Sequence, residues 1–147
     1  MIEEYLTEDR IALQLDVENW KELVDQVGDL MLKAGDIEET YIQAMKDVVE
    51  EMGPYAVIAP GVVLLHARPE SGVKRISFVM ATLKNGVNFG SANDPVTLAI
   101  GLGALDHEGH VELLRELAAF LQNKEKLLAI KKAKNKKEFI QIVKDVG

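Results

Sequence analysis

The chain contains no cysteine, which removes disulfide frameworks, thiolate metal sites and thiol nucleophiles together. Aromatic residues make up only 5% of it, and none falls among the lysines of Lys124–Lys137. The stacking platforms used by single-stranded nucleic-acid binders are therefore missing. That basic stretch alternates with Leu128, Ile130 and Ala133 and reads as the solvated face of short helices, with no nucleic-acid partner. No apolar run is long enough to span a membrane, because Lys, Asp, Glu or Gly interrupts each one. The N-terminal segment opens on acidic residues, without the basic-then-apolar order of a signal peptide. A cytoplasmic protein with no membrane insertion is expected. Neither a G-x-G-x-x-G nor a Walker pattern occurs, so no nucleotide cofactor is expected.

What is present fits one domain over residues 1–147, since two halves of that length would bury little core. Apolar residues make up 48% and charged residues 28%, an ordinary globular mix. The net charge of −7 is unevenly spread: residues 1–54 carry fifteen Asp and Glu against four Lys and Arg, and residues 55–147 carry nine against thirteen.

Residues 10–16 can form an edge strand. Trp20, Leu23, Val24, Val27, Leu30, Met31 and Ala34 recur at three- and four-residue steps and predict an amphipathic helix ended by Gly35. Asp36-x-x-Glu39 has the form of a capping box, opening a helix with Ile42, Met45, Val48, Val49 and Met52 on one face. Gly53-Pro54 stops it. The runs Ala56–Ala59, Val62–Leu65, Arg75–Leu83 and Val96–Leu105 are nearly continuous and apolar, as in strands buried on both faces. Asn85-Gly86 and Phe89-Gly90 read as turns. The tail is helical again: Val111, Leu114, Leu117, Ala118 and Leu121 share a face, a second helix lies near Lys124–Lys132, and Asn135-x-x-Glu138 caps a last one through Phe139, Ile142, Val143 and Val146. The expected fold class is α/β, a central mixed sheet of about five strands with helices on both faces.

Three histidines are the side chains best suited to nucleophilic or acid–base work near neutral pH. His66 follows the Val62–Leu65 strand, at the rim where α/β sheets bind ligands. Arg68, two residues on, offers fork-shaped donors to an anion. A histidine merely satisfied at a strand end, with Arg68 and Glu70 as a surface pair, is the plain alternative. His107 and His110 bracket a helix start near Gly109, where backbone N–H groups attract anions. Capping by Asp106 with two solvated histidines is the alternative there. Zinc held by His107, His110 and His66 or Glu108 is a third reading, without the thiolates or spacing of a specific signature.

The segment Gly53-Pro54-Tyr55-Ala56-Val57-Ile58-Ala59-Pro60-Gly61-Val62-Val63-Leu64-Leu65-His66-Ala67-Arg68-Pro69-Glu70 resembles the active-site signature of the phosphotransferase-system enzyme IIA proteins of the mannitol/fructose superfamily. Thr82-Leu83-Lys84, Val87-Asn88-Phe89-Gly90 and Asn93-Asp94-Pro95-Val96 are similar to the ascorbate-type branch in particular. His110-Val111-Glu112-Leu113-Leu114 resembles the second-histidine motif. The resemblance implies the enzyme IIA fold and a phosphorelay: phosphate is accepted from phospho-HPr on His66 and passed to enzyme IIB, serving uptake of ascorbate or a related sugar through IIC. His110 would stabilise the phosphoryl group or the acceptor ring, and Arg68 would contact phosphate. His107 aligns with neither role, and no metal or other cofactor is implied. Leu65 stands where the family usually has proline, and Glu50-Glu51 where the mannitol branch has arginine. Partners are expected to dock on an apolar patch of Val62–Leu65 and Pro69. A nitrogen-type regulatory enzyme IIA and a non-enzymatic metal- or ligand-binding domain are the alternatives.

Overall fold

In a computed structural model, which describes residues 2–144, a short helix α1 (Ile2–Tyr5) leads through a 3-10 turn into β1 (Ile11–Leu15). Helices α2 (Trp20–Lys33) and α3 (Glu39–Met52) follow, then β2 (Val57–Ala59), β3 (Val62–Leu65), β4 (Ser77–Val87) and β5 (Val96–Gly103). The chain closes with α4 (His107–Leu121), α5 (Lys124–Lys131) and α6 (Lys136–Lys144). Val146, assigned above to the last helix, lies outside the described residues.

The strands form one mixed sheet in the order β1-β4-β5-β3-β2. β1 runs parallel to β4 and β3 parallel to β5, while β4–β5 and β2–β3 are antiparallel. The C-terminal ends of β3 and β5 therefore share a rim with the N-terminal ends of β1 and β4. Each face carries its own apolar core. Leu23, Val27, Met31, Tyr41, Met45 and Val49 of α2 and α3 pack against Val63, Leu65, Val79 and Ala99 on one side. Leu113, Leu117, Leu127, Ile130 and Phe139 of the three C-terminal helices pack against Val62, Phe78, Leu98 and Ile100 on the other. Both faces are covered, which is why the strand sequences read as apolar runs without alternation. Among the described residues no helix is long and apolar enough to cross a membrane.

Local chemistry explains most boundaries. The Asn19 side chain accepts from the Glu22 N–H at 2.9 Å and starts α2, while Gly35, at φ 79°, leads out of it. Asn135 accepts from the Glu138 N–H at 2.8 Å, and the Glu138 carboxylate accepts from the Lys134 N–H at 3.2 Å, a reciprocal cap for α6. The helices of the tail pack differently from the expectation at two positions: Val111 and Ala118 are exposed, and Leu113 with Leu117 fills the core.

Two local readings are corrected. Asp36 is no helix cap: α3 has Glu38 at its N-cap without a side-chain bond, and Asp36 is wholly buried. Its carboxylate accepts from Arg10 Nε (2.8 Å), Arg10 Nη2 (2.7 Å) and Ser77 Oγ (2.7 Å), with Arg75 Nε at 3.0 Å. A buried carboxylate with that many donors satisfies charge first and helix geometry second. Nor is Asn85-Gly86 a turn. It lies within β4, which shifts register between Thr82 and Val87 and resumes pairing at Val87–Val96. A side chain at Gly86 would collide with Pro95 Cβ, so the glycine there serves close approach. The true reversal is at 88–95, where Asp94 Oδ2 accepts from the Phe89 and Ser91 N–H groups, both at 2.9 Å.

Candidate functional site

His66 emerges where β3 leaves the sheet. Leu65, the residue before it, is fully buried and still in the ladder opposite Gly101, so the histidine departs from a fixed strand end. From the neighbouring strand, β5, the chain turns into α4. Asp106 caps that helix by accepting from the Gly109 N–H at 2.6 Å, as anticipated, although helix geometry begins at His107, two residues before Gly109. That start places His110 one turn in, directed back over the sheet rim. The rings of His66 and His110 stand 5.1 Å apart between centroids, tilted by 44°.

The two rings open onto a cleft of about 240 Å³ lined by Val48, His66, Ala67, Arg68, Pro69, His107 and His110. All three histidines and Arg68 thus line one hollow, between α3, α4 and the segment that follows β3. His107, read above as having no role, lines the same wall as His110. Arg68 is exposed, and the surface pair with Glu70 does not form: among the described residues no ion pair engages Arg68. Among the described residues no group of three or more His, Cys, Asp or Glu side chains is arranged to hold a metal ion.

Electrostatics favour neutral rings. Burial pushes the His66 imidazole below its ordinary 6.5, and the neighbouring His110 adds to that. His110 is lowered for the same first reason, with His107 as the second. Nδ1 of His66 is buried and, among the described residues, has no hydrogen-bond partner, so no acceptor there stabilises an imidazolium. A reagent arriving from the cleft therefore engages the other nitrogen, Nε2, which carries a lone pair when the ring is neutral and Nδ1 holds the proton. Such a ring is a nucleophile at pH 7.

The segment after His66 is held down tightly. The Ala67 N–H donates to the Tyr41 hydroxyl at 2.9 Å, and that hydroxyl donates to the Leu102 carbonyl at 2.7 Å. Farther on, Lys74 and Arg75 donate their N–H groups to the Asp36 carbonyl at 2.8 and 3.2 Å, and Glu38 donates to Gly72 at 2.8 Å. Tyr41 was not singled out in the sequence, and Asp36 was read only as a helix cap. A signal existed for Tyr41: it continues the apolar face of Met45, Val48 and Val49, and a buried tyrosine hydroxyl there must find a partner. The apolar surface beside the cleft also differs from expectation. Val62, Val63, Leu64 and Leu65 are all core and cannot meet a partner. The exposed apolar residues nearest the cleft in the chain are Leu105 and Val111, flanking the α4 histidines, and Met52, one turn beyond Val48.

Comparison with known proteins establishes the family and the fold. The chain is 36% identical to the ascorbate-specific phosphotransferase-system EIIA component of Escherichia coli K12 over 135 residues, covering 90% of this chain and 88% of that protein. It superposes on the solution structure of the mannitol-specific cryptic phosphotransferase enzyme IIA of Escherichia coli with a TM-score of 0.85 at 33% identity, covering 97% of each chain. The Escherichia coli mannitol enzyme IIA, solved in complex with phosphorylated enzyme IIB, shares the fold at a TM-score of 0.82 and 22% identity, over 93% of this chain and 95% of that one. The family model described as phosphoenolpyruvate-dependent sugar phosphotransferase system, EIIA 2, matches residues 4–146, so the chain belongs to that family of phosphotransferase proteins.

Proposed function

We propose that residues 1–147 act as one phosphohistidine-carrier domain. His66 accepts a phosphoryl group from the phosphohistidine of HPr and passes it to enzyme IIB. The observation that carries this reading is the half-buried His66 ring, its pKa lowered, facing His110 at 5.1 Å in an open cleft. In each transfer one P–N bond breaks as another forms, or, at a cysteine-bearing enzyme IIB, a P–S bond forms. The step has little driving force to manage, so positioning and charge neutralisation do most of the catalysis. Nε2 of His66 attacks phosphorus in line. His110 donates to a phosphoryl oxygen, and the exposed Arg68 screens the incoming charge. Partners meet the apolar rim of Leu105, Val111 and Met52, a small interface suited to quick exchange.

Service of an ascorbate system, or one for a related sugar entering through IIC, is supported by the 36% identity to the ascorbate-specific component and by the ascorbate-type motifs. A two-stage relay tests the whole reading. The purified chain, given phosphoenolpyruvate, enzyme I and HPr, gains one phosphoryl group by intact mass and loses it on adding an ascorbate-type enzyme IIB. Loading without discharge to that enzyme IIB, with discharge to a mannitol-type one, would move the assignment to the other branch. No loading at all would end it.

A further inference from the structure

We propose that Tyr41 is a positioning residue for phosphoryl transfer: its hydroxyl joins the segment that carries His66 to the strand end that leads to His110, and so sets the spacing of the two rings. The proposal rests on the reading of His66 as the acceptor.

The β3–β5 ladder makes its last pairing at Leu65–Gly101. Beyond it the two chains separate, one toward the 3-10 turn at Pro69–Ser71 and the other toward α4, and no ladder bond remains to fix their distance. Tyr41 Oη occupies that position. It takes the Ala67 N–H at 2.9 Å, one residue after His66, and gives its proton to the Leu102 carbonyl at 2.7 Å. The Ala67 carbonyl lies 3.2 Å away as a second acceptor. One oxygen therefore grips both histidine-bearing segments. Tyr41 is wholly buried on the inner face of α3, with a side chain stiff enough to transmit position from helix to rim. Burial pushes its hydroxyl up to about 12, so it stays a donor throughout the working range and the direction of the Leu102 bond does not reverse with pH.

Removing the oxygen leaves the Ala67 N–H and the Leu102 carbonyl buried together without it. Buried backbone groups seek partners, and the freer of the two segments is the one after His66, which would shift to find one. A displacement of that kind in a reacting group reduces rate without reducing affinity, because the docking surface is elsewhere.

The test is Tyr41→Phe, measured by rapid-quench transfer from phospho-HPr and by nitrogen-15 NMR of the histidine rings in the unphosphorylated protein. Met45→Ala, on the same helix and equally buried, is the control that loses core packing without touching Ala67. In Tyr41→Phe the rate at saturating phospho-HPr is expected to fall between about tenfold and a hundredfold. The half-saturating concentration and the endpoint of one phosphoryl group stay unchanged, and the ring signals of both His66 and His110 move. Met45→Ala keeps the wild-type rate and ring signals at a temperature where both variants are folded. A wild-type rate with unmoved ring signals in Tyr41→Phe would overturn the proposal, as would equal slowing in the two variants. The ring-signal measurement needs no phosphoryl donor. Failure of the acceptor assignment itself would show instead as label appearing away from His66 in the wild type, so the two failures are distinguishable.

Discussion

Replacing Asp36 by asparagine removes the one fully buried carboxylate in a knot that joins the loop after α2 to the starts of β1 and β4. The side chain has no solvent exposure and accepts two parallel bonds from Arg10, whose own side chain is 14% exposed. Asparagine loses the charge and turns an NH2 group toward donors. Arg10 is then left largely buried, with the exposed Asp9 at 3.7 Å as its remaining carboxylate. Breaking one partner of such a pair costs about 3–5 kcal/mol, a large share of the roughly 5–15 kcal/mol that keeps a typical domain folded. The comparison is the Lys33–Asp29 pair on α2, 77% and 47% exposed, where Lys33→Ala should cost no more than about 0.5 kcal/mol. Urea unfolding followed by circular dichroism measures both, with an unchanged slope as evidence that stability alone has moved. A loss below about 1 kcal/mol for Asp36→Asn would refute the reasoning that burial makes this pair different from a surface one.

Because burial lowers the His66 pKa below 6.5, its neutral form persists under mildly acidic conditions. The acid limb of the transfer rate should therefore be centred below pH 6.5, and one centred above 6.5 in a rapid-quench profile would contradict this. The same sign governs stability: the unfolded ring takes up its proton first, so stability should begin to fall as pH drops through 6.5, measurable as a falling urea midpoint. His110→Ala should slow transfer by about 1–3 kcal/mol, roughly fivefold to 150-fold, while leaving His66 able to be labelled. His107→Ala should slow it less and raise the His110 pKa in an NMR titration, and the reverse order of rates would show that His107 is the working partner. Arg68→Ala should slow transfer clearly and the pair Lys131→Ala with Lys132→Ala hardly at all, compared at two salt concentrations. A larger lysine effect would put the docking surface on the C-terminal helices.

The layers of this fold were legible because both faces of its sheet are covered. Val62–Leu65 and Val96–Leu105 could be read as strands from their apolar runs, the second ending two residues earlier in the structure, and the flanking helices from their three- and four-residue spacing. The sheet order and the mix of parallel and antiparallel pairs were not, since nothing local in Ile11–Leu15 states that it lies beside β4. Tertiary contacts defeated two local signals. Asp36 has the spacing of a cap, but Arg10 and Ser77, far off in the chain, compete for its oxygens. Asn85-Gly86 has the composition of a turn, but the approach of Pro95 decides its use. In the site, His66, Arg68 and His110 could be found from strand-end position and motif. Val48, Tyr41 and the place of His107 in the cleft depend on how α3 and α4 meet the rim. The apolar patch was misplaced for a related reason: Val62–Leu65 adjoin His66 in the chain, and adjacency in a buried strand means burial.

The most direct measurement of the central claim is intact mass after incubation with phosphoenolpyruvate, enzyme I and HPr, on the wild type and on His66→Ala with a native circular-dichroism spectrum. The account predicts one added phosphoryl group on the wild type and none on the variant. A folded His66→Ala that still takes up the group, at His110, His107 or elsewhere, would contradict it.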